Sequence, residues 1–368
     1  MSLIKLVNVT KRFGEIIALN GIDLSIEDGE YVCVLGQTGA GKTTLLRTIA
    51  GLTEADEGDI FIEGKLANGV PPEKRNTVYM FQQFALFPHM NVWENVAFGP
   101  SVKNWDSKRV KIVSSEILEM VRLSNRQDAF PHELSGGMQQ RVALARGIAS
   151  GARILLLDEP LGALDARLRV DLRRQLRRIV KDQKLTAVHV THDQEEALMT
   201  ADRIILLRQG KIEQVGTPSE IYTKPKSIFA TNFVGGANFL EGNIINVDDS
   251  GSIVETREGY KIRVAQRKRK IGEKVVVAVR FEDVFLDFTS AKGLNVFSGT
   301  LKSATFIGGS TKYDIIVGSD ISISSTVLIS TIQEERKKGE RVTISFRPES
   351  CYLFSYPKAG LLKEIEAI

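Results

Sequence analysis

The segment GQTGAGKT at residues 36–43 has glycines, a lysine and a threonine in the spacing G-x-x-x-x-G-K-[ST]. It follows the apolar run YVCVL and precedes TTLLRTIA, which is the strand-to-helix context that this pattern requires. The glycines let backbone N–H groups approach a phosphate chain, while Lys42 supplies a cation and Thr43 a hydroxyl for Mg²⁺. That context disfavours the alternative, a glycine-rich turn without a ligand. The residues predicted to bind a nucleoside triphosphate here are Gly36, Gln37, Thr38, Gly39, Ala40, Gly41, Lys42, Thr43 and Thr44.

Two carboxylates end the apolar run in the segment ILLLDEP at 154–160. Asp158, at the carboxyl end of the predicted strand, is placed to hold Mg²⁺ directly or through water, because this ion prefers oxygen ligands. Glu159 is placed to polarise the attacking water as a general base. An Asp-Glu pair after a strand is ordinarily a solvated turn, but the nearby phosphate-binding segment favours the catalytic interpretation.

A second candidate phosphate contact lies in LSGGMQQR at 134–141. Ser135 is a good N-cap for a helix beginning at Gly136, and the glycines Gly136 and Gly137 leave the first N–H groups of that helix uncovered. The chain thus carries two half-sites for one kind of anion, and the simplest assembly is a head-to-tail dimer. In that dimer, the turn at Ser135 covers the nucleotide held by the other chain. From the residues alone, a serine cap without a ligand remains the alternative.

The segments that must position these groups alternate between apolar strand-like runs and longer amphipathic stretches, which is typical of an α/β domain. The runs YVCVL, RILLL and TAVHV are apolar nearly throughout, as strands buried in a parallel sheet are. We predict strands at 31–35, 59–63, 77–81, 153–157, 186–190 and 203–208. We predict helices at 42–50, 106–122, 137–149, 166–182 and 193–200.

The residue pattern changes after Phe233, where no long amphipathic helix is predicted before the last residues. Gly, Asp and Ser clusters separate short β-branched runs, which predicts a small all-β domain, either a barrel or a sandwich. Two segments of this region, AVRFEDVFLDF at 278–288 and ISFRPESCYLF at 344–354, are loosely similar and suggest a duplicated half. We therefore predict a nucleotide-binding domain over 1–234 and a β-rich domain over 235–368.

Composition narrows the function classes. The 368-residue chain has 49 basic and 45 acidic side chains, and its net charge of +4 is too small to indicate nucleic-acid binding. The arginines of RLRVDLRRQLRR at 167–178 lie opposite a leucine stripe, and we interpret them as a solvated helix face. The longest aliphatic run, 275–279, is far too short to span a membrane, and the N-terminus lacks a signal-peptide pattern. Cys33 and Cys351 are predicted to be buried free thiols, so we expect a cytosolic chain.

The order and spacing of these motifs along residues 1–233 resemble an ABC transporter ATP-binding subunit. The resemblance identifies 134–138 as the signature motif, with Met138 where the family more often has glutamine. Gly162 likewise stands where the family often has a serine. Both departures concern the dimer interface rather than the phosphates.

The same resemblance implies roles for four more residues. The ring of Phe13 is expected to stack on adenine, although packing under a β-layer is the alternative. Gln82, in FQQFALFPH, matches the glutamine that reaches the attacking water or Mg²⁺, beside an apolar run that receives a membrane partner. Asp165 ends the D-loop segment GALD, and His192 matches the switch histidine that donates to the γ-phosphate. His189, within a predicted strand, is interpreted as a core residue.

The β-rich region resembles the OB-like regulatory or dimerising extension of ATPases from binding-protein-dependent importers. The likeness rests on GGANFLEGNI and on the R-x-E segments at Arg280 and Arg347. The resemblance implies an α/β ATPase domain with a helical subdomain at about 84–150. It also implies an ATP- and Mg²⁺-dependent homodimer, peripheral on the inner face of the cell membrane, that docks on integral membrane permease subunits served by a solute-binding protein.

The alternative is a soluble ABC ATPase of DNA repair or translation. Repair members carry long coiled-coil insertions and translation members usually carry two cassettes, whereas this chain has one cassette and no heptad run. Within the importer interpretation the cargo stays open, because similar ATPases serve sugars, polyamines, ferric iron or sulfate. The segment FIGGSTKYDI at 306–315 looks slightly closer to the polyamine and iron relatives.

Overall fold

The computed structural model describes residues 2–81, 84–161, 166–266, 269–287, 293–331 and 336–366. These residues belong to two compact units, residues 1–224 and 225–368. The predicted boundary at 234/235 lies slightly further along the chain than this division. None of the helices in the described ranges combines the length and the apolar composition needed to cross a bilayer.

The first unit contains most of the helices. Its strands and helices, in chain order, are β1 (Ser2–Phe13), β2 (Ile16–Glu27), β3 (Tyr31–Leu35), α1 (Lys42–Ala50), β4 (Glu57–Ile62), β5 (Lys65–Leu66), β6 (Thr77–Met80), α2 (Val92–Val102), α3 (Ser107–Met120), α4 (Gly136–Ala149), β7 (Ile154–Asp158), α5 (Ala166–Asp182), β8 (Thr186–Thr191), α6 (Gln194–Thr200), β9 (Arg203–Arg208), β10 (Lys211–Gly216) and α7 (Pro218–Thr223). Every strand and helix predicted for this region overlaps one of them, and β1, β2 and α2 are among the additions.

A six-stranded sheet in the order β10-β9-β3-β8-β7-β6 carries the predicted site. All neighbours pair in parallel except β10, which runs antiparallel to β9 at the edge. The strands β3, β7 and β8 are buried along their whole length, as their apolar sequences predict. Because carboxyl ends of parallel strands lie at one edge of a sheet, the segments after these three neighbouring strands come together.

An antiparallel sheet, in the order β2-β1-β4-β5, completes the layers of the first unit. Its apolar side chains share one core with α1 and with the strands β3, β7, β8 and β9. The helices α2, α3 and α4 pack on one another over the part of the chain predicted as the helical subdomain.

The arginines of α5 correct one prediction. Arg173, expected on a solvated face, has a side chain only 4% exposed and is paired with Asp193 at the N-terminus of α6. Arg177 pairs with Asp202 at 2.9 Å. The prediction was wrong for these residues because α5 packs against α6, so part of its basic face meets carboxylates rather than water.

The second unit is mostly antiparallel β-structure. Its elements, in chain order, are α8 (Ile228–Phe233), β11 (Asn238–Asp248), β12 (Gly251–Thr256), β13 (Lys261–Val264), β14 (Lys274–Val279), β15 (Phe285–Leu286), β16 (Asn295–Phe306), β17 (Ser310–Val317), β18 (Ile321–Leu328), β19 (Arg341–Phe346), β20 (Cys351–Ser355) and α9 (Leu361–Glu366). Two five-stranded sheets, β13-β12-β11-β14-β20 and β15-β19-β16-β17-β18, enclose one core. The predicted all-β domain is therefore confirmed, and so is the burial of the free thiols Cys33 and Cys351.

The two loosely similar segments of this unit have the same local structure. In each, a strand, a 3-10 turn and a second strand follow one another, with turns at 281–283 and 348–350. The copies exchange partners, since β14 pairs with β20 and β15 pairs with β19. Arg280 and Arg347 occupy the N-cap positions of the two turns, and Arg280 is buried, donating to the carbonyl of Val234 at 2.7 Å.

Candidate functional site

The phosphate loop, residues 36–43, connects β3 to α1 through a tightly curved backbone. Gly39 and Gly41 have φ angles of 80° and 101°, which L residues with a side chain rarely adopt. A Cβ at Gly41 would also lie 2.3 Å from the carbonyl oxygen of Ala18 on β2. Glycine at this position therefore lets β2 pass close beside the loop.

A cavity of about 310 Å³ opens beside the phosphate loop. Among the residues predicted to bind nucleotide, those that line it are Thr38, Gly39, Gly41, Lys42, Thr43 and Thr44, and the predicted base Glu159 lines it too. Its other lining residues are Ile16, Ile17, Ala18 and Gln209. Gly36, Gln37 and Ala40 are outside the lining. Gly36 instead allows a close approach to β9, because a Cβ there would lie 2.3 Å from the carbonyl oxygen of Leu207.

Lys42 is buried at the N-terminus of α1, with 6% of its surface exposed. Its ammonium group donates to the carbonyl oxygens of Gly36 at 2.8 Å and Gln37 at 2.9 Å. Burial lowers the pKa of Lys42, and the carboxylates of Glu159 and Asp158 oppose that shift. The lysine is thus held inside the loop by bonds that an incoming phosphate oxygen could replace.

Asp158, the last residue of β7, accepts hydrogen bonds on both carboxylate oxygens. Thr43 Oγ1 donates to Asp158 Oδ1 at 3.0 Å, and the hydroxyl of Tyr79, on β6, donates to Asp158 Oδ2 at 2.6 Å. Burial and the Asp158 carboxylate raise the pKa of Tyr79, so the phenol keeps the proton that it donates. Hydroxyl and carboxylate oxygens are hard ligands, so Thr43 and Asp158 fit a Mg²⁺ ion in their donor chemistry.

Glu159 and His192 meet at the carboxyl ends of β7 and β8. The Glu159 N–H donates to the carbonyl of Val190 at 3.0 Å, and the residue has a φ angle of 46°, which is uncommon for a non-glycine residue. Its Oε1 lies 3.3 Å from His192 Nδ1, and the His192 side chain is 60% exposed. The structure therefore brings the predicted base and the predicted switch histidine together beside the cavity.

His189 differs from His192 in exposure and in hydrogen-bond partner. It is fully buried in β8, and its Nδ1 lies 2.9 Å from the Tyr31 hydroxyl. Burial lowers the pKa of His189, with the nearby Glu196 carboxylate opposing the shift. The interpretation of His189 as a core residue is confirmed.

Phe13 ends β1, where its ring is 51% exposed. Packing under a β-layer is therefore ruled out for this ring. Phe13 pairs with Ile16 across the β1–β2 turn, and Ile16 lines the cavity. The ammonium of Lys11 lies 5.4 Å from the ring centroid. The exposed ring thus stands close to the cavity, at a place where a planar base could stack on it.

The signature turn, residues 134–138, begins α4 as predicted. The Ser135 side chain caps the helix by accepting from the Met138 N–H at 3.4 Å. Ser135 and Gly136 are exposed while Gly137 is buried, and none of the three lines the cavity at the phosphate loop. Gln82 and Asp165 lie outside the described residues.

Two polar residues of the site escaped the sequence analysis. Tyr79 was assigned only to a strand, and Gln209 was not singled out at all. Gln209 and Gly210 form a two-residue turn with φ angles of 47° and 73°, and the Gly210 N–H donates to the carbonyl of Ala40 at 3.0 Å. A glycine between two strand-like runs does indicate a turn. Its proximity to the phosphate loop depends on β9 lying beside β3, which no local pattern reveals.

Comparison with known proteins divides the chain as the fold does. The ABC transporter family matches residues 19–162, and the TOBE domain family matches residues 273–354. The spermidine/putrescine import ATP-binding protein PotA of Trichormus variabilis is 41% identical over 325 residues, which covers 87% of this chain and 85% of that protein. The protein of the same name from Thermotoga maritima is 38% identical over 314 residues, covering 84% of this chain and 85% of its own length.

Solved ATP-binding cassettes resemble about three fifths of the chain. The dimeric post-hydrolysis state of the ATP-binding cassette MJ0796, bound to ADP and Pi, is 33% identical with a TM-score of 0.52. The match covers 58% of this chain and 98% of the MJ0796 chain. The ADP conformation of MJ1267, an ATP-binding cassette of an ABC transporter, is 25% identical with a TM-score of 0.56. It covers 62% of this chain and 98% of its own.

Proposed function

The chain belongs to the ABC transporter ATP-binding proteins, and we propose that it drives the import of a polyamine. As a member of this family it binds ATP and Mg²⁺, and it couples ATP hydrolysis to transport. The observation that supports a polyamine cargo is the likeness to spermidine/putrescine import ATP-binding proteins over most of the chain. The segment at 306–315 favours the same class of relatives.

In the proposed nucleotide complex, the phosphate chain enters the cavity and lies along the N–H groups of residues 38–44. Lys42 exchanges its two carbonyl partners for oxygens of the β- and γ-phosphates. The cavity extends to Ile16, so the adenine of the nucleotide would project from it towards Phe13. The exposed ring of Phe13 offers a stacking surface there.

Thr43 and Asp158 hold Mg²⁺, which supplies positive charge to the phosphates when bound. Their oxygens already face each other at 3.0 Å, so little rearrangement of the chain is needed. Gln82 completes this set in our proposal, following the family resemblance.

Glu159 acts as the general base in the proposed mechanism. Its carboxylate accepts a proton from the attacking water, which makes that oxygen a stronger nucleophile. His192, 3.3 Å from the same carboxylate, is placed to fix its orientation and to donate a hydrogen bond to the γ-phosphate. The unusual backbone angle of Glu159 aims its side chain into the cavity, where the lining includes it.

Closure of two copies would complete each site. The exposed turn at Ser135 and Gly136 offers N–H groups and a hydroxyl to the γ-phosphate held by the partner chain, and Asp165 adds a contact across the same interface. We place this homodimer on the cytoplasmic face of the membrane, peripheral to permease subunits that a solute-binding protein supplies. Nucleic acid has no part in this assembly.

The proposal is tested by measuring uptake. The chain is produced with the permease and binding-protein subunits of its own organism, in cells that lack a spermidine/putrescine importer. Uptake of radiolabelled spermidine or putrescine is expected, and Glu159→Gln should abolish it. Uptake of a sugar, sulfate or ferric iron in place of polyamine would overturn the cargo and leave the ATPase assignment standing.

A further inference from the structure

A tyrosine hydroxyl contacts the predicted metal-binding carboxylate through the oxygen that Thr43 does not contact. Tyr79 lies on β6, which pairs in parallel with β7 and places Tyr79 beside Leu156. Its hydroxyl reaches Asp158 Oδ2 at 2.6 Å, whereas Asp158 Oδ1 accepts from Thr43 at 3.0 Å. Each carboxylate oxygen therefore has its own donor, and the plane of the carboxylate is fixed from both sides.

The direction of the tyrosine hydrogen bond follows from the chemistry of the pair. A carboxylate oxygen only accepts, so the phenol gives its single proton to Asp158 Oδ2. Thr43, which donates to Oδ1, belongs to α1. The carboxylate is thus held by a residue of α1 on one oxygen and by a residue of β6 on the other.

We propose that Tyr79 is a positioning residue for the metal site, holding Asp158 Oδ2 so that Oδ1 faces Thr43 Oγ1. This inference rests on the proposed assignment of Thr43 and Asp158 to Mg²⁺. Tyr79 itself touches neither metal nor nucleotide. It acts by removing the freedom of the Asp158 side chain to turn away, so that binding the ion costs less reorganisation.

Loss of the hydroxyl should weaken the metal more than the nucleotide. Outer contacts of this kind typically change metal affinity or activity by 10–100-fold. Tyr79→Phe keeps the ring, which packs 4.7 Å from the ring of Phe81, and removes only the donor to Asp158. We expect about a tenfold loss of divalent-cation affinity in the nucleotide complex, with metal-free nucleotide affinity changed by less than about twofold.

The experiment measures binding of Mn²⁺, as a spectroscopic substitute for Mg²⁺, to the full chain with ADP by electron paramagnetic resonance. Binding of a fluorescent ADP analogue in excess chelator gives the metal-free affinity. Tyr31→Phe is the matched control. It removes a buried tyrosine hydroxyl from the same sheet, but that hydroxyl contacts His189 and not Asp158. The control should leave Mn²⁺ affinity unchanged. A Mg²⁺ titration of ATP hydrolysis should also show a higher half-saturating concentration for Tyr79→Phe, with the rate largely recovered at saturation.

Two results would overturn the inference. Mn²⁺ affinity equal to that of the wild type would show that Tyr79 does not position Asp158. An equal loss of affinity with and without metal would show that the hydroxyl supports the loop as a whole. If the wild-type chain with ADP bound no Mn²⁺, the metal site itself would be wrong, which is a separate failure.

Discussion

The phosphate loop and the signature turn both begin a helix, but their surroundings differ. At the phosphate loop, two polar side chains already have partners within the chain. Lys42 bonds to two carbonyls, and Thr43 bonds to Asp158. At the signature turn, Ser135 and Gly136 are exposed, and the serine contributes a helix cap at 3.4 Å.

The phosphate loop is therefore a site whose side chains are already in place within one chain, whereas the signature turn is exposed to solvent. The first turn of any helix leaves N–H groups without partners inside that helix. At α1, those groups face a cavity bordered by β2 and by the ends of β7 and β9. At α4, the beginning of the helix faces solvent. One chain therefore holds a nearly complete site and exposes donors suited to a second one.

The largest expected effect comes from replacing Glu159, the proposed general base beside the phosphate loop. Glu159→Gln should reduce ATP hydrolysis by about 10²–10⁴-fold, because the amide cannot accept the proton of the attacking water. ATP binding should persist, since Lys42 and the loop are unchanged, and an ATP-dependent dimer should accumulate. Single-turnover hydrolysis and light scattering measure the two effects. Wild-type turnover in this variant would show that Glu159 is not the base.

A smaller effect is expected at the outward-facing turn. Ser135→Ala, combined with Glu159→Gln, should weaken ATP-dependent dimerisation by at least about tenfold, because a hydrogen bond to a charged group contributes ~1.5–3 kcal/mol and the dimer has two such sites. Nucleotide binding to the monomer should be unchanged.

Ser227→Ala is a matched control for that loss. Ser227 caps α8 by accepting from the Ala230 N–H at 3.1 Å, so the substitution removes the same kind of cap away from the signature turn. Equal weakening of the dimer by both variants would attribute the effect to helix capping. Analytical ultracentrifugation with and without ATP distinguishes the two cases.

The smallest effect concerns Cys33 on β3, the buried strand that leads into the phosphate loop. Burial raises the pKa of the Cys33 thiol, on β3, to about 12. The folded chain keeps this proton while the unfolded chain loses it, so stability should fall as pH rises above about 9. Between pH 8 and 10 the contribution is on the order of 1 kcal/mol. Denaturant unfolding of the wild type and of Cys33→Ala at both values measures it, and an equal pH slope would contradict the prediction.

The sequence predicted the parallel sheet and the candidate residues at its edge for a physical reason. YVCVL, RILLL and TAVHV are each followed by a chemical motif, and strands buried on both faces leave a continuous apolar run. The ends of those motifs come together because the three strands are neighbours in one parallel sheet. Lys42, Thr43, Asp158 and Glu159 were found in this way.

What escaped prediction depends on contacts between distant segments. The partnership of Tyr79 with Asp158 requires β6 to lie beside β7, and Gln209 reaches the cavity because β9 lies beside β3. Arg173 was misread because its helix was judged by periodicity alone, whereas the carboxylate of Asp193 lies on another helix. Local sequence patterns do not predict any of these contacts.

The exchanged strands of the β-rich unit have a consequence for biosynthesis. The strand β14 is buried, and one of its two neighbours, β20, follows it in the chain only after β15 to β19. Until β20 emerges from the ribosome, β14 has an open apolar edge, and such edges promote aggregation. Pairing over so long a stretch of chain also slows folding. We therefore expect the nascent chain to depend on protection by a chaperone until β20 has been synthesised.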